Sequence, residues 1–346
     1  MQIECPLPIQ SYETITLGHG GGGKLSQQIL HELIVPILGN VYLNQLHDGA
    51  TVPFSCGQLA FTTDSFVVSP PFFPGGNIGT LAVHGTVNDL AMCGARPKFL
   101  SLAFILEEGF PMENLRRIIM SIRSACESIG VQIITGDLKV VEKGKGDGIF
   151  INTTGIGQVL PWVEISPSRV RAGDKIILNG SIAEHGIAIL SIREGLSFET
   201  EVCSDTAALW PIVEMMLAGG EDRIHAMRDA TRGGVASVLN EIAKSAHAGI
   251  VIEGSEIPVR EDVQGACEML GFDPLYVANE GRFVSFVAPE GADEILSQMR
   301  EHPLGFDARI IGEVVAAHPG VVRMNTAFGT SRVIEMLSGE QLPRIC

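Results

Sequence analysis

The chain closes on the sequence PRIC, with a thiol, Cys346, as its last residue. Chain ends are usually the exposed and mobile parts of a domain. A reactive sulfur placed there is suited to being presented in more than one location. The remaining cysteines, Cys5, Cys56, Cys93, Cys126, Cys203 and Cys267, stand singly, with no C-x-x-C pair. That spacing argues against a disulfide framework or a zinc site and fits a reducing compartment. Most of these six are expected to be small buried hydrophobes.

The second chemical feature is a set of aspartates placed where strands end or helices begin: Asp48 in HDGATV, Asp64 in FTTDSF, Asp89 in TVNDLAM, Asp137 in ITGDLK and Asp229 in RDATRGG. Each has Gly, Thr or Asn beside it, residues that shape loops and offer oxygen ligands. Singly they have ordinary alternatives: Asp64 as a turn residue, Asp89 as an exposed helical acid, Asp229 as an N-cap. Together, among apolar flanks, they could be buried only with cations to neutralise them. Carboxylates gathered this way hold Mg²⁺, and Mg²⁺ brings nucleotide phosphates with it.

Candidate phosphate contacts lie nearby. The loop LGHGGGGKLSQQIL carries glycines up to Lys24 before an apparent helix, and such a loop can turn backbone N–H groups toward a phosphate; it is equally readable as a flexible hinge. FFPGGNIG could cradle a nucleotide, and Thr231-Arg232-Gly233-Gly234 sets an arginine and free amides at a helix start. Lys139 follows Asp137 by two, so both point the same way on a strand. Glu280, in ANEGRF, precedes a glycine and a strand, where an exposed turn acid is the ordinary expectation.

The elements that must position these groups alternate. QLAFTTDSFVV reads as a strand, NIGTLAVHGTVNDLAMCGA as a helix with Asn77 as N-cap and Gly94 as stop, and KFLSLAFIL as a buried strand. PMENLRRIIMSIRSACESIG is the strongest helix, with Leu115, Ile118, Ile119, Ile122 and Ile129 on one face and Gly130 at its end. VQIITGD and GIFINTTGIG follow as strands. A break is expected around LPWVEISPSRVRAGD, after which KIILNG, GIVIEG, RFVSFVA and RIIGEVV supply strands, and SIAEHG, ALWPIVEMML and GGVASVLNEIAKSAHAG supply helices. This is an α/β or α+β chain of two domains. With 346 residues and 45% hydrophobic side chains it can bury a sizeable core. A net charge of −16, without clustered basic residues, argues against nucleic acid. No apolar run is long enough for a membrane span and no secretory signal is visible, so a cytoplasmic location is expected.

Taken together, TTDSF, GGNIGTLAVHGTVNDLAMCGARP, ILEEGFPMENL, TGDLKVV, RDATRGGV, YVANEG, HPLG and the terminal PRIC closely resemble the HypE family of hydrogenase-maturation proteins, from about Thr16 to Cys346. That family lies in the wider superfamily of aminoimidazole ribonucleotide synthetase, selenophosphate synthetase and thiamine-monophosphate kinase. The resemblance implies a two-domain PurM-like fold: an N-terminal segment over 1–44, a ferredoxin-like, dimer-forming, ATP-binding domain over 45–160, an α/β domain over 161–336, and a flexible tail over 337–346. It implies ATP and Mg²⁺ as cofactors and a homodimer. It also implies a carbamoyltransferase partner, HypF, that loads a carboxamide onto Cys346. ATP-dependent dehydration would then give a thiocyanate, whose cyano group passes to iron on a HypC–HypD complex as a ligand for a [NiFe]-hydrogenase.

On that basis Asp48, Asp64, Asp89, Asp137 and Asp229 are expected to organise metal and phosphate, and Lys24, Asn77, Thr231, Arg232 and Gly233 to contact the nucleotide. Cys346, Glu280 and Lys139 are expected to be catalytic, with Glu280 the better base and Lys139 a base or an electrostatic aid. Two departures stand out. His47 replaces one of the paired aspartates frequent at HDGATV in the superfamily, and GHGGGGK lacks the reactive cysteine that selenophosphate synthetases place in that loop. Two rival readings remain: a non-catalytic nucleotide-binding scaffold whose thiol is a redox switch, and a kinase or synthetase acting on a free metabolite.

Overall fold

The computed structural model describes residues 12–20, 25, 28–45, 57–196, 201–218, 222–336 and 345. Lys24, Asp48, Cys346 and most of the glycine-rich loop lie outside the described residues.

The first half is a four-stranded sheet covered on one face by two long helices and by the short helical pieces Ile29–Ile34 and Val35–Leu38. Its strands, β1 (Leu59–Phe66), β4 (Ala95–Glu107), β5 (Gln132–Val141) and β6 (Ile149–Val159), run in the order β1-β6-β4-β5. A two-stranded ribbon, β2 (Phe72–Phe73) and β3 (Gly76–Asn77), leads into α1 (Ile78–Met92). Asn77 begins α1 through a capping box: its side-chain oxygen accepts from the N–H groups of Gly79 and Thr80, and Thr80 Oγ1 accepts from the Asn77 N–H. Such a cap satisfies backbone donors that the first turn leaves unpaired.

The second helix, α2 (Met112–Ile129), crosses between the parallel strands β4 and β5. Its apolar positions recur at helical spacing, and Leu115, Ile118, Ile119 and Ile122 are fully buried, whereas Ile129 is only half-buried. Each such side chain contributes about 1.5–3 kcal/mol. Gly130, in the left-handed conformation, ends the helix.

The opposite face of this sheet is open. There Leu59, Phe61 and Ile105 are 52%, 71% and 42% exposed. Asp137 and Lys139 belong to that open face, because they pair in register with Ala103 and Ile105 of β4 while the alternate residues Leu102 and Phe104 are buried under the helices.

The second half is a seven-stranded sheet of β7 (Lys175–Leu178), β8 (Ile224–Asp229), β9 (Gly249–Glu253), β10 (Phe283–Val287), β11 (Arg309–Val315), β12 (Val322–Asn325) and β13 (Ser331–Ile334), ordered β13-β12-β9-β11-β7-β10-β8. Its helices are α3 (Glu184–Arg193), α4 (Trp210–Leu217), α5 (Gly234–Ser245), α6 (Glu261–Leu270) and α7 (Ala292–Glu301). One apolar cluster runs through both halves, from Ile78 and Leu81 of α1 to Ile212 of α4 and Phe283 of β10. Helix α1 contacts α4 and β8, so the end of β8 is carried up against the first half. Strands β8, β12 and β13 and helices α6 and α7 are not among the elements expected from the sequence, and for β8 the reason is visible. Its first four residues are all buried, so no alternation marks them.

Candidate active site

A small pocket at the junction of the halves gathers acids from four separate stretches of chain. Asp64, Ser65 and Phe66 come from β1, Gly85 and Asp89 from α1, Asp229, Thr231 and Arg232 from β8 and the turn after it, and Glu280 from the loop before β10. It encloses about 40 Å³. Beside it a wider cavity of about 440 Å³ shares Asp64, Asp89, Asp229, Thr231 and Arg232 and extends past Phe61, Cys93 and Arg228. Helix α1 approaches β1 this closely because residue 85 is glycine: a Cβ there would sit 2.9 Å from the Phe66 ring and 3.6 Å from Asp64 Oδ2. Thr62 Oγ1 donates to Asp89 Oδ2 at 2.6 Å and ties the two elements together.

The electrostatics are those of a site short of positive charge. Burial raises the pKa of Asp64, opposed by the Ser65 N–H and the Arg232 guanidinium. Burial also raises Asp89, with Asp64 adding to the effect. Asp229 is pushed up to about 7 by burial and by Asp89. Glu280 is 3% exposed, and burial first, then Asp205, Asp229 and Asp64, push it well above the usual carboxylate range. Its Oε1 has no hydrogen-bond partner. The ordinary expectation of an exposed turn acid is therefore wrong for Glu280. One buried and three half-buried carboxylates offer only hard oxygen donors, although among the described residues no three Asp, Glu, His or Cys side chains stand arranged to hold a metal ion. Thr231 and Arg232 flank these carboxylates, and Gly233 and Gly234 both take positive φ, which opens the backbone into α5.

Other expected site residues are elsewhere. The Asn77 side chain is engaged in its cap and donates to Ser121 Oγ at 2.8 Å. Lys139 Nζ pairs with Asp137 Oδ1 at 3.1 Å, but both sit on β5, at the opposite sheet edge from Asp64 and on the opposite face. Three strand spacings of about 4.8 Å separate those edges. Within one chain, Asp137 and Lys139 do not join the acidic pocket.

Residues not singled out from sequence hold the site in shape. A strap at 201–209 crosses the junction. Its Asp205, whose side chain is fully buried, accepts from the N–H groups of Glu280 and Gly281. Asn88 of α1 donates to the carbonyls of Ala207 and Glu280 and accepts from the Leu209 N–H. His84 meets Thr206 Oγ1 at 3.1 Å, and burial lowers it to about 4, so it is a neutral strut. The only sequence signal for this strap is a cluster of hydrogen-bonding residues, Ser204, Asp205 and Thr206, outside any element.

Two α/β halves meeting at an acidic, phosphate-suited pocket define an AIR synthase-related protein. The N-terminal domain of that family matches residues 46–159 and its C-terminal domain residues 171–325. Beyond this class, a carbamoyl dehydratase HypE of Azotobacter vinelandii is 51% identical over 333 residues, 96% of this chain and 97% of that protein. A crystal structure of the hydrogenase maturation protein HypE in complex with ATP superposes with a TM-score of 0.92 at 47% identity, covering 96% of this chain and all of that one. A HypE–HypF complex matches with a TM-score of 0.79 at 45% identity over 89% of this chain and 99% of that one. The chain belongs to the HypE family of hydrogenase-maturation carbamoyl dehydratases.

Proposed function

We propose that this chain dehydrates a carboxamide carried on its own Cys346 to a thiocyanate, using ATP and Mg²⁺, and so supplies the cyanide ligand of a hydrogenase iron. The observation that carries this reading is Glu280: a buried carboxyl with a free oxygen, in a wall shared with three further acids and Arg232.

Asp64, Asp89 and Asp229 would hold Mg²⁺, and Thr231, Arg232 and the amides about Gly233 would hold the phosphates; Asp48 and Lys24 are proposed to add to the two sets. When bound, Mg²⁺-ATP supplies the phosphoryl group that turns the carboxamide oxygen into a phosphate leaving group. The C–O bond breaks, carbon and nitrogen become triply bonded, and two N–H protons depart, one to the phosphate and one released. Glu280 is the proposed base. Burial and the neighbouring acids raise its pKa, and cationic charge brought beside it would lower that pKa again and ready it to accept a proton. Lys139 is proposed to act electrostatically, with Asp137 as an additional metal ligand. Because both lie a sheet's width from the pocket, they can reach the substrate only from a second copy.

The open face of the first sheet, with Phe61 and Ile105 exposed, supports a homodimer formed there. The loading partner is proposed to be HypF and the acceptor a HypC–HypD complex. No helix among the described residues is long and apolar enough to cross a membrane; a cytoplasmic site of action is proposed. The direct test is Glu280→Gln in single turnover. S-Carbamoyl protein should still form, while its dehydration with Mg²⁺-ATP falls by about 10²–10⁴-fold. Unchanged dehydration would remove Glu280 from the mechanism.

A further inference from the structure

Among the described residues nothing hydrogen-bonds Oε1 of Glu280, so the carboxyl is aimed by the backbone that carries it. That backbone is held from both sides. The Glu280 N–H lies 3.2 Å and 3.3 Å from the two carboxylate oxygens of Asp205, and the Gly281 N–H donates to Asp205 Oδ2 at 3.0 Å. The Glu280 carbonyl accepts from Asn88 Nδ2 at 3.3 Å and from the Ala207 N–H at 3.4 Å. Residue 281 is glycine for the sake of this approach, because a Cβ there would run into the Asp205 carbonyl oxygen.

One member of this clamp reaches in from the first half. Asn88, 2% exposed on α1, uses both ends of its amide: Nδ2 also donates to the Ala207 carbonyl at 3.0 Å, and Oδ1 accepts from the Leu209 N–H at 2.8 Å. Residues four apart share a helix face. His84 and Asn88 therefore form one stripe of α1, which meets the strap at Thr206, Ala207 and Leu209. Gly85 and Asp89 form the next stripe, which meets β1 and the acidic pocket. One helix thus carries a pocket acid and, at the preceding residue, a hold on the turn that bears Glu280. A carboxylate at position 88 could accept from Leu209 but could donate to neither carbonyl.

We propose that Asn88 is a positioning residue for the dehydration, fixing the place of the Glu280 carboxyl relative to Asp89 and the acidic pocket. The assignment of Glu280 as base is the reading on which this rests. Asn88 lines neither cavity and so acts only through the turn it holds. A misplacement of about 1 Å in a reacting group slows a reaction by about 10²-fold.

The test is a double-mutant cycle in the full chain: wild type, Asn88→Ala, Glu280→Gln and the double variant. Each is carbamoylated by the carbamoyltransferase and followed by intact mass for loss of water in a single turnover, across a range of Mg²⁺-ATP concentrations. Asn88→Ala should slow dehydration by about 10–10²-fold, with carbamoyl loading and the Mg²⁺-ATP concentration for half-maximal rate unchanged. In the Glu280→Gln background the same change should slow it less than about twofold, because two residues acting through one carboxyl are not additive. Should Asn88→Ala not fold, Asn88→Asp carries the same cycle, since it keeps the shape and the acceptor for Leu209. A wild-type rate in the Asn88 variants would overturn the proposal, and so would equal slowing in both backgrounds, which would make Asn88 a structural residue only. In either case a slow Glu280→Gln reaction leaves the base assignment standing. Undiminished dehydration by Glu280→Gln would remove the base and the positioning role with it.

Discussion

Asp229 offers a quantitative test of the acidic pocket through stability alone. Its carboxyl is pushed from an ordinary 3.8 up to about 7, by burial and by Asp89. Folding therefore opposes its ionisation. The resulting destabilisation is absent below the unfolded value of 3.8, grows between 3.8 and 7, and is fully present above 7. At about 1.36 kcal/mol per pK unit, three units correspond to about 4 kcal/mol at pH 8 and a little under 2 kcal/mol at pH 5, as upper bounds. Asp229→Asn keeps the shape and removes the charge. In the absence of nucleotide it should be more stable than wild type at pH 8, with the gain shrinking markedly at pH 5, as read from urea midpoints. Mg²⁺-ATP should then reverse the order, stabilising wild type far more than the variant, because the ligand would bind the native acids and not the unfolded chain. An asparagine variant no more stable than wild type at pH 8, or stabilised equally at both pH values, would refute the claim that Asp229 is held against its own charge.

Two further outcomes follow from the proposed mechanism. Ile105→Asp, on the open face of the first sheet and away from the acidic pocket, should convert the proposed homodimer to monomer in sedimentation and depress dehydration in parallel, if Asp137 and Lys139 are supplied by a second copy. A fully active monomer would contradict that arrangement. Asp205→Asn should keep some hold on the Glu280 turn yet weaken two charge-assisted hydrogen bonds, each worth about 1.5–3 kcal/mol. Slower dehydration with unchanged carbamoyl loading is expected, and equal loss of both would indicate general misfolding instead.

Local elements were legible where one residue type has one physical use. The period of Leu115, Ile118, Ile119 and Ile122 announced α2, and Asn77 as N-cap announced the start of α1. The repeated aspartates signalled oxygen chemistry, and Asp64, Asp89 and Asp229 do meet. What could not be read locally was which of them meet. Asp137 has the same small-residue setting as Asp64, but the strand order β1-β6-β4-β5 places them at opposite edges. Strand β8 lacked an alternating pattern because it is covered on both faces. Asp205 was hard to read for a different reason: its role depends on the backbone of Glu280 and Gly281, far away in sequence, and locally only the run Ser204, Asp205 and Thr206 marks it.

The central claim is that Cys346 carries the group that the acidic pocket dehydrates. It is tested most directly by the intact mass of the protein after incubation with the carbamoyltransferase, carbamoyl phosphate and ATP, and again after Mg²⁺-ATP alone, for wild type and Cys346→Ala. The account predicts a carbamoyl adduct confined to Cys346 that loses one water when ATP turns over, with no adduct in the variant. No adduct on wild type, with ATP hydrolysis indifferent to Cys346→Ala, would contradict it and favour action on a free metabolite.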